Sequence, residues 1–236
     1  MSLFHSLLRG LKDVKNIFYP RTCLNCNELL QAQEYGICHR CASQLVFTHY
    51  DFDSQNPVFD RLSAVVPIHK ASSLFLYDKG GVIKHLIHQL KYNNQAFVGK
   101  LLAQYARNYY NKNSFVNAFD YIIPVPLHPK KQKERGYNQL VEFGKNLGNY
   151  YSIPYTEKIL LRSVYTGSQT KKSAQERREN VAHAFTVHKA EIYAGKRFLL
   201  VDDVLTTGAT IEACVETLMG HIPDVQVSVL TMAVVL

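Results

Sequence analysis

The chain has no tryptophan and only 3 methionines among 236 residues, so any flat aromatic surface must come from its 15 tyrosines and 12 phenylalanines. Glycine and proline are scarce, at 12 and 8, which excludes collagen-like and low-complexity architectures. No apolar run is long enough for a membrane span. The longest, Val227–Leu236, is interrupted by Ser228 and Thr231 and reaches about half the necessary length. No cationic leader precedes an apolar stretch at the start, so no secretory signal is expected and the chain reads as cytoplasmic. A hydrophobic share of 47% against 19% charged residues excludes an intrinsically disordered chain. A chain of this length buries roughly 70–75% of its unfolded surface, enough for one α/β domain with a small appendage.

Acidic residues are the scarcer sign: 19, against 27 lysines and arginines, for a net charge of +8. That balance points to an anionic partner, whether a phosphorylated metabolite, a nucleic acid or a membrane surface, and does not choose among them.

Only one cysteine, Cys214, stands outside a cluster; it falls on the inner face of a helical stretch and reads as a small core residue. The other four, Cys23, Cys26, Cys38 and Cys41, form two C-x2-C pairs separated by eleven residues. Two such pairs converge four thiolates on one tetrahedral ion, and zinc suits sulfur at that geometry. Four protein ligands leave no open position, so the site is structural, and metal binding would supply the folding energy of this short segment. His39, inside the second pair, reads as a solvent-facing residue.

Leu3, Phe4, Leu7, Leu8, Leu11, Val14, Ile17 and Phe18 recur at three- and four-residue steps, an amphipathic helix over 1–20 that Pro20 stops. Arg9, Lys12 and Lys15 share its polar side; it packs on its own domain or lies on a membrane surface. The four-cysteine module follows over 21–50, then a polar, linker-like stretch over 51–57 and a larger domain over 58–236. In that domain, strands are expected over 62–68, 74–77, 121–125, 198–202 and 225–236 (one strand or a pair), with a short one beginning at Ile159. Helices are expected over 79–91, 97–111, 139–150 and 209–219. Strands alternating with helices imply a mainly parallel sheet covered on both faces.

The apolar run ending in Asp202 and Asp203 leads into Val204-Leu205-Thr206-Thr207-Gly208-Ala209-Thr210 and then a helix. Ligands of open α/β sheets bind at the carboxyl ends of strands, where this bend must sit. Gly208 permits backbone angles that aim several N–H groups at one spot; the helix N-terminus and three threonine hydroxyls add to them. That is a phosphate cradle. The acids beside it suit hydroxyl donors, such as those of a ribose, or a divalent metal ion. A phosphorylated ribose satisfies both halves at once.

LLVDDVLTTGAT at Leu199–Thr210 resembles the signature of type I phosphoribosyltransferases, which bind 5-phosphoribosyl-1-pyrophosphate (PRPP). The stretches PVPLHPKKQKERGYNQ (Pro124–Gln139) and QTKKSAQERRENVAHAF (Gln169–Phe185), together with the four-cysteine module ahead of them, resemble the ComF family. That family is linked to natural competence, the uptake of DNA by bacteria. The resemblance implies an α/β, type I phosphoribosyltransferase-like fold with a small N-terminal zinc-ribbon-like module. It implies ribose contacts from Asp202 and Asp203 and 5-phosphate contacts from Thr206, Thr207, Gly208, Ala209 and Thr210, with Val204 and Leu205 in the same PRPP-binding stretch and Mg2+ accompanying PRPP. It also implies competence-machinery proteins as partners.

Two basic segments complete the expected site. Lys130, Lys131, Lys133 and Arg135 follow the strand end at Pro124-Val125-Pro126. The corresponding loop of phosphoribosyltransferases binds pyrophosphate through a short backbone turn; here it is longer and strongly cationic. Arg135 with Gly136 as the turn is the pyrophosphate candidate, and the lysines serve the same anion or form a solvated face. Tyr137 and Asn138 meet a base or belong to the turn. Lys171, Lys172, Arg177 and Arg178 fall where this fold carries a lid over the reacting carbon. Arg135, Lys171, Lys172 and Arg177 are the candidates for catalysis; no residue stands out as the group that activates an acceptor. Three readings follow: an active phosphoribosyltransferase, a DNA-uptake factor whose basic loops and tyrosines hold single-stranded DNA, or a non-catalytic sugar-phosphate sensor.

Overall fold

In the computed structural model the described residues are 20–93, 95–163 and 184–236. The amphipathic pattern over 1–20 lies outside them save for Pro20. So does nearly all of the basic stretch 169–185, including Lys171, Lys172, Arg177 and Arg178. The chain divides into two units, one ending at Leu45 and one beginning at Val46. Among the described residues no helix is long and apolar enough to cross a membrane.

The smaller unit is mostly turns around the cysteine pairs, with one short helix, α1 (His39–Ala42). Glu34 clasps it: its two carboxylate oxygens accept from the backbone N–H groups of Gln31 and His39, each at 2.7 Å. Those hydrogen bonds hold the Glu34 carboxyl below the usual range.

The larger unit is built on a four-stranded, all-parallel sheet in the order β1 (Ala71–Leu76), β6 (Gln226–Val234), β5 (Arg197–Leu205), β2 (Tyr121–Pro124). Parallel strands need crossovers, and the amphipathic patterns supply them. α3 (Val82–Tyr92) and α4 (Phe97–Tyr109) connect β1 to β2, α6 (Val141–Tyr151) lies between β2 and β3 in the chain, and α7 (Ala209–His221) connects β5 to β6. Both inner strands are apolar through their middle because helices cover both faces; Leu199, Leu200, Val201, Val229 and Leu230 are fully buried. A separate two-stranded antiparallel ribbon joins β3 (Leu160–Arg162) to β4 (Phe185–Val187). It flanks the 164–183 segment on both sides.

The structure corrects three sequence readings. The apolar run at Leu62–Ile68 is not a strand. Asn56 caps a helix, α2 (Pro57–Ser63), its Oδ1 accepting from the N–H groups of Val58 and Phe59, with Pro57 in the first turn. An N-cap asparagine followed by proline starts a helix that local β-propensity does not override. The 51–57 stretch is no loose linker: Phe52 and Asn56 are buried, and Asp53 bridges Ala71 on the sheet edge. The cationic stretch after β2 is a helix, α5 (Pro129–Arg135), rather than an extended loop. His128 caps it, Pro129 opens it, and Gly136 ends it in the left-handed conformation (φ 80°).

Candidate functional site

All four sheet strands end on the same edge, and the candidate residues gather there. β5 runs past the sequence estimate of its end. Asp202 and Asp203 stand inside it, and Val204 and Leu205 still pair with Ala233 and Val234. Successive side chains of a strand point to opposite faces. The two acids therefore part company.

Asp202 lines a cleft with residues 204–211. This cleft is the bend read from the sequence as a phosphate cradle. Gly208 takes φ 86° and caps the N-terminus of α7. The helix dipole and first-turn N–H groups lie at the bend, the Ala209 N–H reaching Thr207 Oγ1 at 3.5 Å, an arrangement that suits an anion. α2 braces the bend from outside: the Arg61 guanidinium donates to the carbonyl of Thr206 at 3.2 Å and of Val235 at 2.6 Å. A Cβ at Gly208 would come within 3.2 Å of the Leu62 side chain. Left-handed strain and that approach together give Gly208→Ala an expected cost of about 1–2 kcal/mol, read as a fall of several degrees in the melting temperature of the full chain.

Asp202 is half-buried. Burial and the neighbouring Asp203 carboxylate push its pKa up to about 7, against the opposing pull of the Asp203 N–H, which donates to its Oδ1 at 2.8 Å, and of Lys91 and Arg162. Near neutrality it therefore stands between an acceptor-only carboxylate and a proton-bearing acid.

Asp203 is buried and faces the other way. One carboxylate oxygen accepts from Lys91 Nζ at 2.7 Å, the other from Gln139 Nε2 at 2.8 Å. Burial of Lys91 works against its charge, but Asp203 outweighs that and holds its pKa above the ordinary value. Gln139 passes the contact on, its Oε1 accepting from Arg135 Nη1 at 3.0 Å. The guanidinium of Arg135 also lies over the Tyr92 ring, 5.2 Å from its centroid.

Of the three lysines on α5, Lys130 and Lys133 are exposed and Lys131 is half-buried. Burial, then the nearby charges of Arg162 and Arg135, pull the pKa of Lys131 down. Arg162, near the end of β3, lies over the Phe185 ring and close enough to Asp202 to feel its charge. Lys91, Lys131, Arg135 and Arg162 thus form a cationic wall beside the acids. Arg135 and Lys131 were expected here; Lys91 and Arg162 were not. Nothing local marks Lys91, one lysine near the end of an amphipathic helix, and only the fold brings it to Asp203. Tyr137 and Asn138 are structural: the tyrosine hydroxyl donates to the Leu90 carbonyl, and Asn138 is buried with its amide toward Val125. Cys214 is buried, as expected of a core residue.

In the small unit the sulfurs of Cys23, Cys26, Cys38 and Cys41 all lie within 4.8 Å of one another. The Cys38 N–H points at Cys23 Sγ at 3.4 Å and the Asn25 amide at Cys41 Sγ at 3.3 Å. Burial opposes ionisation of Cys23, but backbone hydrogen bonds, led by Cys26 and Cys38, draw its thiol down to about 6. Burial pushes Cys41 up to about 12. Several thiolates this close need a cation between them, and the donor set fits a zinc module. His39 is exposed and outside the cluster.

A phosphoribosyl transferase domain family matches residues 145–234, which contain the whole cradle. Competence protein F of Haemophilus influenzae is 29% identical over 82% of this chain and 89% of its own length. DNA utilization protein YhgH of Escherichia coli (strain K12) is 24% identical over 86% of this chain and 92% of its own. Among solved structures, adenine phosphoribosyltransferase from Leishmania tarentolae superposes at a TM-score of 0.39 with 13% identity, covering 87% of this chain and 90% of that one.

Proposed function

We propose that the chain, which is similar to Competence protein F and matches a phosphoribosyl transferase domain family, is a DNA-uptake factor with a working PRPP site. One observation carries the reading: Asp202 stands on the rim of a small-residue bend whose glycine is left-handed and whose floor is the N-terminus of α7. The bend, from Val204 to Thr210, takes the 5-phosphate through backbone N–H groups and threonine hydroxyls. Asp202 accepts hydrogen bonds from the ribose hydroxyls, and its oxygens suit the Mg2+ that accompanies a diphosphate. Lys131, Arg135 and Arg162 face the pyrophosphate, with Gly136 as the turn beside them. The four cysteines hold zinc, which supports the small unit and takes no part in chemistry.

Single-stranded DNA is the proposed macromolecular partner. The names of the two relatives, competence and DNA utilization, support this, as does the net charge of +8. Cations already lie over an aromatic ring on the larger unit: the Arg107 guanidinium is 4.2 Å from the Tyr150 centroid and Lys112 Nζ is 5.8 Å from it. Cations and rings on one surface suit a phosphate backbone with splayed bases. Affinity for an oligothymidine is expected to fall by about a thousandfold or more between low and moderate salt if several phosphates are contacted, read by fluorescence anisotropy. Salt-independent binding would sink this part.

An active transferase is the second reading, favoured by the cationic wall next to the acids. Charge growing on a departing pyrophosphate is stabilised by fixed cations and Mg2+. Titration of the full chain with PRPP and Mg2+, then a nucleobase screen for pyrophosphate release, tests both. Binding without release supports the sensor or uptake role; no binding overturns the PRPP site.

A further inference from the structure

A run of polar contacts joins four residues drawn from three parts of the chain: Lys91 to Asp203, Asp203 to Gln139, Gln139 to the nearby Arg135. Its chemistry fixes the direction of each link. A carboxylate only accepts and a guanidinium only donates, so the Gln139 amide satisfies both neighbours in one orientation alone, NH2 toward Asp203 and carbonyl toward Arg135. Gln139 is 5% exposed and Asp203 6%. Burial of Gln139 and Asp203 makes an unsatisfied amide or carboxylate costly, which favours this orientation. Arg135, at the outer end, is half-buried, and its guanidinium is pinned on one side by Gln139 and on its face by Tyr92. The Gln139 contact uses one of its five N–H groups, leaving others in the fork for an incoming anion.

We infer that Gln139 is a positioning residue: anchored on Asp203, it fixes the Arg135 guanidinium for the pyrophosphate end of the ligand. The inference rests on the PRPP reading of the site.

The test is a double-mutant cycle on the full chain with Mg2+, using inorganic pyrophosphate and ribose 5-phosphate as separate calorimetric probes. Gln139→Met removes the relay without altering charge and leaves the Lys91–Asp203 pair in place. It should weaken pyrophosphate binding about tenfold and keep ribose 5-phosphate within about twofold. Arg135→Met should do the same, and adding Gln139→Met to it should cost almost nothing more, because Gln139 acts through Arg135. A general packing defect would instead lower both affinities and add in the double variant; either result overturns the inference, as does unchanged pyrophosphate affinity in Gln139→Met. Should Gln139→Met not fold, Gln139→Asn, which keeps the amide and falls one carbon short, enters the same cycle. Wild-type protein that bound neither probe would overturn the PRPP reading and this inference together; wild-type binding with an additive cycle would overturn this inference alone.

Discussion

Asp202→Asn is expected to weaken PRPP binding by roughly a hundredfold while leaving the melting temperature nearly unchanged. A charged acceptor facing two sugar hydroxyls is lost, while the asparagine amide oxygen can still accept from the Asp203 N–H that Asp202 Oδ1 meets at 2.8 Å. The same residue should give the wild type a pH signature. With its carboxyl pushed up to about 7, Asp202 is protonated on the acid side of neutrality and ionised on the alkaline side. The ionised form accepts from both hydroxyls and suits Mg2+, so affinity should climb as pH rises through about 7. The climb should vanish in Asp202→Asn, which separates it from titration of the ligand's own phosphates. Calorimetry across that range decides the matter. Equal affinity of the two proteins, or a wild-type affinity that falls with rising pH, would remove Asp202 from the sugar.

Stripping the metal should have an equally large but spatially confined effect. Thiolate sites of this kind contribute about 10–16 kcal/mol in small zinc modules, more than a segment of this size gains from burial. Chelation, or Cys38→Ser, is therefore expected to abolish amide protection across 20–45. The sheet unit should melt as before, since its core lies within 46–236. Hydrogen exchange with mass spectrometry reads the two regions separately, and elemental analysis of the untreated protein should find one zinc per chain. Protection of 20–45 that survives chelation would show that the fold of this unit does not depend on the ion.

The features legible in the sequence were those whose partners lie close along it. The cysteine pairs and the run from Leu199 to Thr210 could be read because spacing alone brings their groups together. The alternation of strands and helices likewise gave the parallel sheet. What escaped was non-local. Lys91 meets Asp203 across 112 positions and Gln139 meets it across 64, and no local pattern announces either. The different surroundings of the two acids were hidden for another reason. They sit inside a strand, not on a loop, and that became visible only once Val204 and Leu205 were seen pairing with β6. At α2 and α5 terminal signals outweighed the composition of the segment: Asn56 and Pro57 start a helix that ends within the first two residues of the apolar run, and His128, Pro129 and Gly136 bound a helix in a polar stretch.

The Arg61 contacts carry a practical consequence for dissecting the protein. One guanidinium ties the carbonyl of Thr206 in the phosphate bend to that of Val235 beyond the last strand. A shortened polypeptide starting just after α2 would retain the signature and every strand of the parallel sheet, yet lose this tether. It would also lose the buried Phe52, Val58 and Leu62, so any shortened chain meant to test the proposed anion site has to begin upstream of α2, well before the matched 145–234 region.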